Sequence, residues 1–389
     1  MVNYDLVLFG VFIVLLVAFY IKKRKKIQFQ AFGLIAMYRT KLGINLSKKI
    51  VRKSPAFFRY AGYIGIVVGF IGMILMFYIL LRGSIDIFLN PEAAPVVAPV
   101  LPFVKIPGLP PLLFTYWILG IFVVAAIHEF SHALLSVAHK VKVKSSGFAF
   151  FGPIPAAFVE PDEKQLQKRS KSAQLSIFAA GPFANIITGI IFFVIFAFLL
   201  SPPILAIADV SLKISDVVED SPAEVAGIEE GVIIQKINGI KTTRENIVSI
   251  ISELKPDETL TIESPSKTFT LKTGKHPENE TRGYIGISIE TQLDAKEEGD
   301  KTKLNALIWI QRLFFWLFVL SLGIGLFNLL PLGPIDGGKM LFIALTYFSK
   351  NETVVKRIFT FISFISLLAL IISFSPWIFK FFGFLGRIG

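Results

Sequence analysis

The sequence contains no cysteine. That excludes a disulfide framework, a thiolate metal site and a thiol nucleophile. Charge is scarce: Asp, Glu, Lys and Arg make up 17% of the residues, against about a quarter in a soluble domain. Hydrophobic residues reach 53% and mean hydropathy is +0.66, which excludes an ordinary soluble domain and indicates a polytopic membrane protein. Histidine is rare, with four in the chain. Acidic residues are missing from 22–59, which carries twelve Lys/Arg, including the run Lys22-Lys23-Arg24-Lys25-Lys26. Nineteen of the 28 acids instead fall in 206–303, against twelve bases. The chain therefore has a basic side and an acidic side. Beside a membrane span, a basic run follows the positive-inside rule, so no nucleic-acid partner is expected.

Apolar runs of about twenty residues mark spans. They lie near 4–21, 57–81, 112–138, 173–200, 305–331 and 357–374. The first has no basic residues ahead of it, so it reads as an uncleaved span, not a signal peptide. Counting spans from the basic cluster predicts an extracytosolic N-terminus, with 83–111 outside and 139–144 and 164–171 in the cytosol. For 375–389, Pro376 and the Trp, Lys and Arg content predict an interfacial segment.

Within the third span lies His128-Glu129-Phe130-Ser131-His132. Each ionisable residue at that depth costs roughly 2.5–3.5 kcal/mol on insertion scales, so the cluster needs a compensating partner. Positions four apart share a helix face, so His128 and His132 can present two imidazoles to one metal ion. In HExxH sites the intervening Glu acts on water at the metal. A catalytic zinc still requires a third protein ligand and an open position. The competing reading is a structural metal, or an ion path through the membrane. Glu129, which is not needed to hold a metal, separates the two. His139 and His276 lack this spacing and read as ordinary core or surface residues.

The segment 145–160 is apolar but broken by Gly and Pro, too short to span. It reads as a re-entrant hairpin beside the motif, with a cytosolic surface loop as the alternative. Residues 206–303 change character: charges appear and short alternating runs such as Thr259–Ile262 and Thr268–Lys272 predict strands. Ser221–Ile228, Gly231–Gly239 with its Asn238-Gly239 hairpin signal, and Gly283-Tyr284-Ile285-Gly286-Ile287 together resemble a PDZ domain of the protease-associated type. That resemblance implies an extended peptide, or a C-terminus, added at a sheet edge. Span counting puts this domain outside the cytosol.

Asn328-Leu-Leu-Pro331-Leu-Gly-Pro334-Ile-Asp336-Gly337-Gly338 follows the fifth span, at the depth expected for the histidines. A carboxylate suits a zinc site; a lone Asp after a span can equally be a helix cap. Taken with HExxH and with Gly181-Pro182-Phe183-Ala184-Asn185, these residues resemble the site-2 protease family of intramembrane zinc metalloproteases, over roughly Tyr116–Lys350. The resemblance implies zinc held by His128, His132 and Asp336, with Glu129 as general base and a cut through a transmembrane substrate protein near the cytosolic face of the cell membrane. It suggests Asn185 and Asn328 near the scissile strand or the oxyanion; interhelical hydrogen bonding is the alternative.

The expected architecture is a polytopic α-helical membrane protein with a re-entrant β-hairpin and an inserted extracytosolic PDZ-like domain. The boundaries are 1–111 for an N-terminal membrane region with two spans, 112–204 and 304–350 for the halves of the protease core, 206–303 for the PDZ-like domain, and 351–389 for a C-terminal span and interfacial segment. The partners are the bilayer and the substrate, with a peptide possible at the PDZ-like domain. The two N-terminal spans read as anchoring, dimerisation or gating elements.

Overall fold

The computed structural model describes residues 4–385 except 31–34, 91–94, 105, 107, 108 and 278. Among these residues, six helices are long and apolar enough to cross a membrane, matching the six expected spans; the chain is a multi-pass membrane protein. We label the principal helices α1 (Tyr4–Lys23), α2 (Ile44–Lys53), α3 (Pro55–Leu89), α4 (Phe114–Ala138), α5 (Lys171–Val194), α6 (Lys301–Phe327), α7 (Asp336–Phe348) and α8 (Glu352–Leu385). The short α2 and α7 are not spans. The chain divides into two compact units, Met1–Phe196 with Arg312–Gly389, and Ala197–Gln311.

In the first unit, α4 is positioned from both ends. Its N-cap, Leu113, offers no side-chain acceptor. Asp5 of α1 supplies one: its carboxylate accepts from Thr115 N–H at 3.1 Å, from the Thr115 hydroxyl at 3.0 Å, and from Phe114 N–H. A carboxylate there satisfies donors that the helix itself cannot and complements the positive end of the helix dipole. The first span is thus a clamp on the helix that carries the HExxH motif. The second span, α3, backs the centre of the unit. A Cβ on Gly69 would meet Met340 of α7 at 2.7 Å, and one on Gly72 would meet Leu329 at 2.5 Å. Such small positions let helices approach closely in a bilayer.

The segment 145–160 does form a hairpin. Strands Val143–Phe151 and Ile154–Pro161 pair antiparallel around Gly152, whose φ of +57° suits a tight turn with Pro153. The sequence reading missed two further strands in the basic region, Ile27–Gln30 and Ile35–Thr40, which extend the hairpin into one antiparallel sheet. In chain order these strands are β1 to β4, and their order in the sheet is the same, which leaves β4 at an edge.

In the segment read as interfacial, α8 runs unbroken through Pro376 to Leu385. Pro lacks the N–H that would bond the carbonyl four residues back, and the Ser375 hydroxyl donates to that carbonyl, Ile372 O, at 2.7 Å. The final four residues of the expected interfacial segment lie outside the described residues.

The second unit is rich in short strands around a core that includes Ile214, Ile237, Leu260 and Ile262, each 0% exposed. Thr268–Lys272, Thr259–Glu263, Lys236–Ile237 and Ile240–Lys241 form one sheet, and Ile287–Ala295, Ala208–Val217 and Ile233–Ile234 form another, in those orders. Asn238 and Gly239 both take positive φ between Lys236–Ile237 and Ile240–Lys241, as an Asn-Gly hairpin turn requires.

Replacing Asp5 with Ala should lower the stability of the full-length protein by about 1 kcal/mol, the size of a lost helix cap. It would be read as a lower unfolding midpoint in detergent, with Asp5→Asn, which keeps an acceptor, losing less. An unaltered midpoint in Asp5→Ala would show that the first turn of α4 is held by other contacts.

Candidate metal centre

His128 and His132 lie one turn apart on α4, 6% and 8% exposed. Both Nε2 atoms point at one place, 3.2 Å from each other. Asp336 reaches the same place from the start of α7, with Oδ2 at 3.1 Å from each nitrogen. Asp336 is therefore not a helix cap. Ile335 occupies the N-cap position, and no side chain caps the helix there. Among the described residues, these three are the group of His, Asp and Glu side chains that could hold a metal ion.

The spacing fits zinc. Ligands about 2.0 Å from a tetrahedral ion stand roughly 3.3 Å apart, and the three donors here form a triangle with edges of 3.1–3.2 Å. The far side of each ligand is held as well. His132 Nδ1–H donates to Ile177 O on α5 at 2.7 Å, which leaves the Nε2 lone pair free. Asp336 Oδ1 pairs with Lys339 Nζ at 3.4 Å, one turn along α7, so only Oδ2 is turned to the histidines. The Asn185 amide lies 3.2 Å from His128 Nδ1, and its oxygen, fully buried, has no hydrogen-bond partner when the nitrogen faces the ring. Turning the amide over puts that oxygen on Nδ1, where it accepts the ring proton. That resolves the orphan and selects the tautomer whose Nε2 can bind a metal.

The glycine of the Gly-Pro-x-x-Asn motif also has a geometric reason. A Cβ on Gly181 would stand 2.5 Å from the Nε2 atoms of both His128 and His132. The face of α5 toward the histidines must be bare there. A similar constraint shapes the Asp336 loop. A Cβ on Gly337 would meet Leu329 O at 2.3 Å, one on Gly338 would meet Leu332 O at 2.1 Å, and Gly337 N–H donates to Asn328 O at 2.7 Å. The loop folds back on the first turn of α7 at a distance only glycine permits, which fixes where Asp336 starts.

The model of peptidase family M50 matches residues 116–370, about two thirds of the chain. The chain belongs to the site-2 protease family. Members are zinc metalloendopeptidases of membranes, and this protease carries a His-His-Asp group that could hold the ion. It is 30% identical to an uncharacterized protein of Methanocaldococcus jannaschii over 322 residues, 78% of this chain and 76% of that one. It is 23% identical to the zinc metalloprotease RasP of Shouchella clausii over 233 residues, 49% of this chain and 54% of the relative. The protease thus spans three quarters of the first relative and about half of the second.

Of the remaining residues singled out in the sequence, Glu129 is turned to the hairpin: its Oε2 accepts from Val159 N–H of β4 at 2.7 Å. Asn185, 0% exposed, faces the His128 ring at 3.2 Å. Just past the end of α6, the Asn328 Nδ2 donates to Ile324 O of that helix at 2.9 Å. His139 Nε2 lies 3.0 Å from the Ser176 hydroxyl and is buried, consistent with an ordinary core histidine. The roles of Gly181 and Lys339 and the bond from Val159 to Glu129 were not legible in the sequence. Spacing identifies a motif, but which atoms of α5 and β4 approach α4 is decided by packing.

Gly181→Ala should leave the protease folded but deprive it of zinc, measured as metal content per chain after dialysis. Asn185→Ala should weaken zinc binding by about 10- to 100-fold, the usual effect of removing a partner behind a metal-binding histidine. Full zinc occupancy in Gly181→Ala would contradict the close-approach account of α5.

Proposed function

We propose that this chain is an intramembrane endopeptidase that cuts transmembrane helices of other proteins, with zinc held by His128, His132 and Asp336 and with Glu129 as general base. The observation that carries the reading is the meeting of three buried ligand atoms, with a fourth ionisable group on the same helix, inside a bundle of apolar spans. A structural metal would leave the placement of Glu129 at a strand edge unexplained.

Zinc in this site supplies Lewis acidity for attack on a peptide carbonyl. Glu129 takes the proton of the attacking water and returns it to the leaving nitrogen. A spanning helix has its backbone bonds made internally, so the substrate must unwind to expose a carbonyl. β4 offers it a partner. Val159 N–H is directed off the sheet edge, since it donates to Glu129. Ala157 shares that side of the strand at the two-residue period. Pro155 and Pro161 fall on the same side and bring no N–H to it. The edge is thus open for pairing over a short window beside the base.

In this reading the hairpin is re-entrant and lies at the depth of the metal centre. Pairing of Ile35–Thr40, within the basic region 22–59, with β3 supports a cytosolic location for both, with cleavage in the cytosolic half of the bilayer. The strand-rich unit is read as an extracytosolic PDZ-like domain. Gly286 takes a φ of +83° just ahead of Ile287–Ala295, which lies at the edge of its sheet, an arrangement suited to taking up an extended peptide or C-terminus. The substrate class this implies is a single-span protein processed as part of regulated intramembrane proteolysis.

Glu129→Gln should keep zinc at one ion per chain and lose cleavage of a co-reconstituted single-span substrate, followed by gel shift and mass spectrometry. Continued cleavage by Glu129→Gln would overturn the assignment, and loss of zinc would make Glu129 a ligand instead of the base.

A further inference from the structure

The stripe of α4 that carries Glu129 also carries a hollow. Phe122, Ala125, Ala126 and Glu129 follow one another at i, i+3, i+4 and i+7, so they share a face, next to the face that carries the two histidines. The two alanines leave that face empty just before the carboxylate. They border an open-sided cavity of about 460 Å³, flanked by β4, by Leu42 just before α2 and by Leu46 within it. Among the described residues that wall it, Glu129 is the only one with a charged side chain. Leu42 and Leu46 precede the stretch matched by the family model, which begins at residue 116. The N-terminal region therefore does more than clamp α4: it supplies part of the wall of the cavity beside the carboxylate.

The geometry points to this cavity as a specificity pocket that takes a bulky apolar side chain, Leu or Phe, from the substrate residue beside the scissile bond, with Ala126 and Leu46 setting the size it admits. This rests on the reading of Glu129 as the base. A strand laid on the β4 edge presents alternate side chains to opposite faces. One set meets the cavity, whose lining is mostly apolar, with Thr40, Ser146 and Glu129 as its polar side chains. The small residues at 125 and 126 are what give the pocket depth. A charged or strongly polar side chain would lose its water there and find one carboxylate, which the catalytic step occupies.

The test uses the full-length protein in nanodiscs with a leucine–alanine single-span reporter. The reporter carries one Gly-Pro break, and the residue ahead of the break is Ala, Leu, Phe or Trp. Cut positions are read by mass spectrometry. The parent protein should prefer Leu and Phe. Ala126→Phe, which fills the hollow, should lower the ratio of Phe-reporter to Ala-reporter cleavage by about tenfold, the scale on which apolar pockets discriminate by size. Because the chain has no cysteine, Leu46→Cys gives a single thiol for a second readout. With an added thiol oxidant such as copper-phenanthroline, it should form a disulfide with a reporter cysteine beside the break and not with one a few residues away. An unchanged cleavage ratio in Ala126→Phe, or cross-linking only at distant positions, would overturn the pocket while leaving the protease reading standing. Cross-linking beside the break with no cleavage by the parent would overturn the reading of Glu129 as base and, with it, the specificity role of the pocket, leaving a binding site alone.

Discussion

Three ionisable side chains, His128, His132 and Asp336, are buried at one point inside apolar helices. Everything else in the first unit answers to that constraint. Groups of this kind are expensive to bury alone, and they become tolerable when each polar atom has a partner. On the far side the partners are the Ile177 carbonyl, the Asn185 amide and the Lys339 ammonium. On the near side the three donors face one another at the spacing of a tetrahedral metal site. A metal ion bound there would complete the network.

The helices around this point can be read as its supports. The first span provides Asp5 to the start of α4. The α3 span, through Gly69 and Gly72, packs against Met340 and Leu329, on either side of the Asp336 turn. Gly181 lets α5 come within contact of both imidazoles, and Gly337 and Gly338 let the preceding loop lie on the first turn of α7. Loss of bulk at a few positions is as necessary to the site as the ligands. The two N-terminal spans, which stand outside the matched family region, are part of this support and not merely an anchor.

Much of this was legible in the sequence because it is written in local patterns. Six spans follow from hydrophobic run length, the hairpin from an apolar stretch broken at Gly152-Pro153, and the histidine pair from i,i+4 spacing. Depth along the spans brought Asp336 to the histidines, although a local rule for an Asp after a helix favoured a cap equally. What stayed hidden depends on partners far away in the chain. Strand Ile35–Thr40 pairs with Ser146–Phe151, and nothing in a short stretch beside a basic run announces a partner more than a hundred residues on. Asn185 was recognised as a motif residue, yet its role as a prop for His128 follows only from how α4 and α5 pack. The helix that continues through Pro376 was hidden too, because a neighbouring serine hydroxyl takes up the carbonyl that the proline leaves without a donor.

The most direct test of the account is the position of the metal. Anomalous scattering at the zinc edge from crystals of the full-length protein should give one peak about 2.0–2.2 Å from His128 Nε2, His132 Nε2 and Asp336 Oδ2. A zinc peak elsewhere in the protein, or one lacking contact with Asp336, would contradict it.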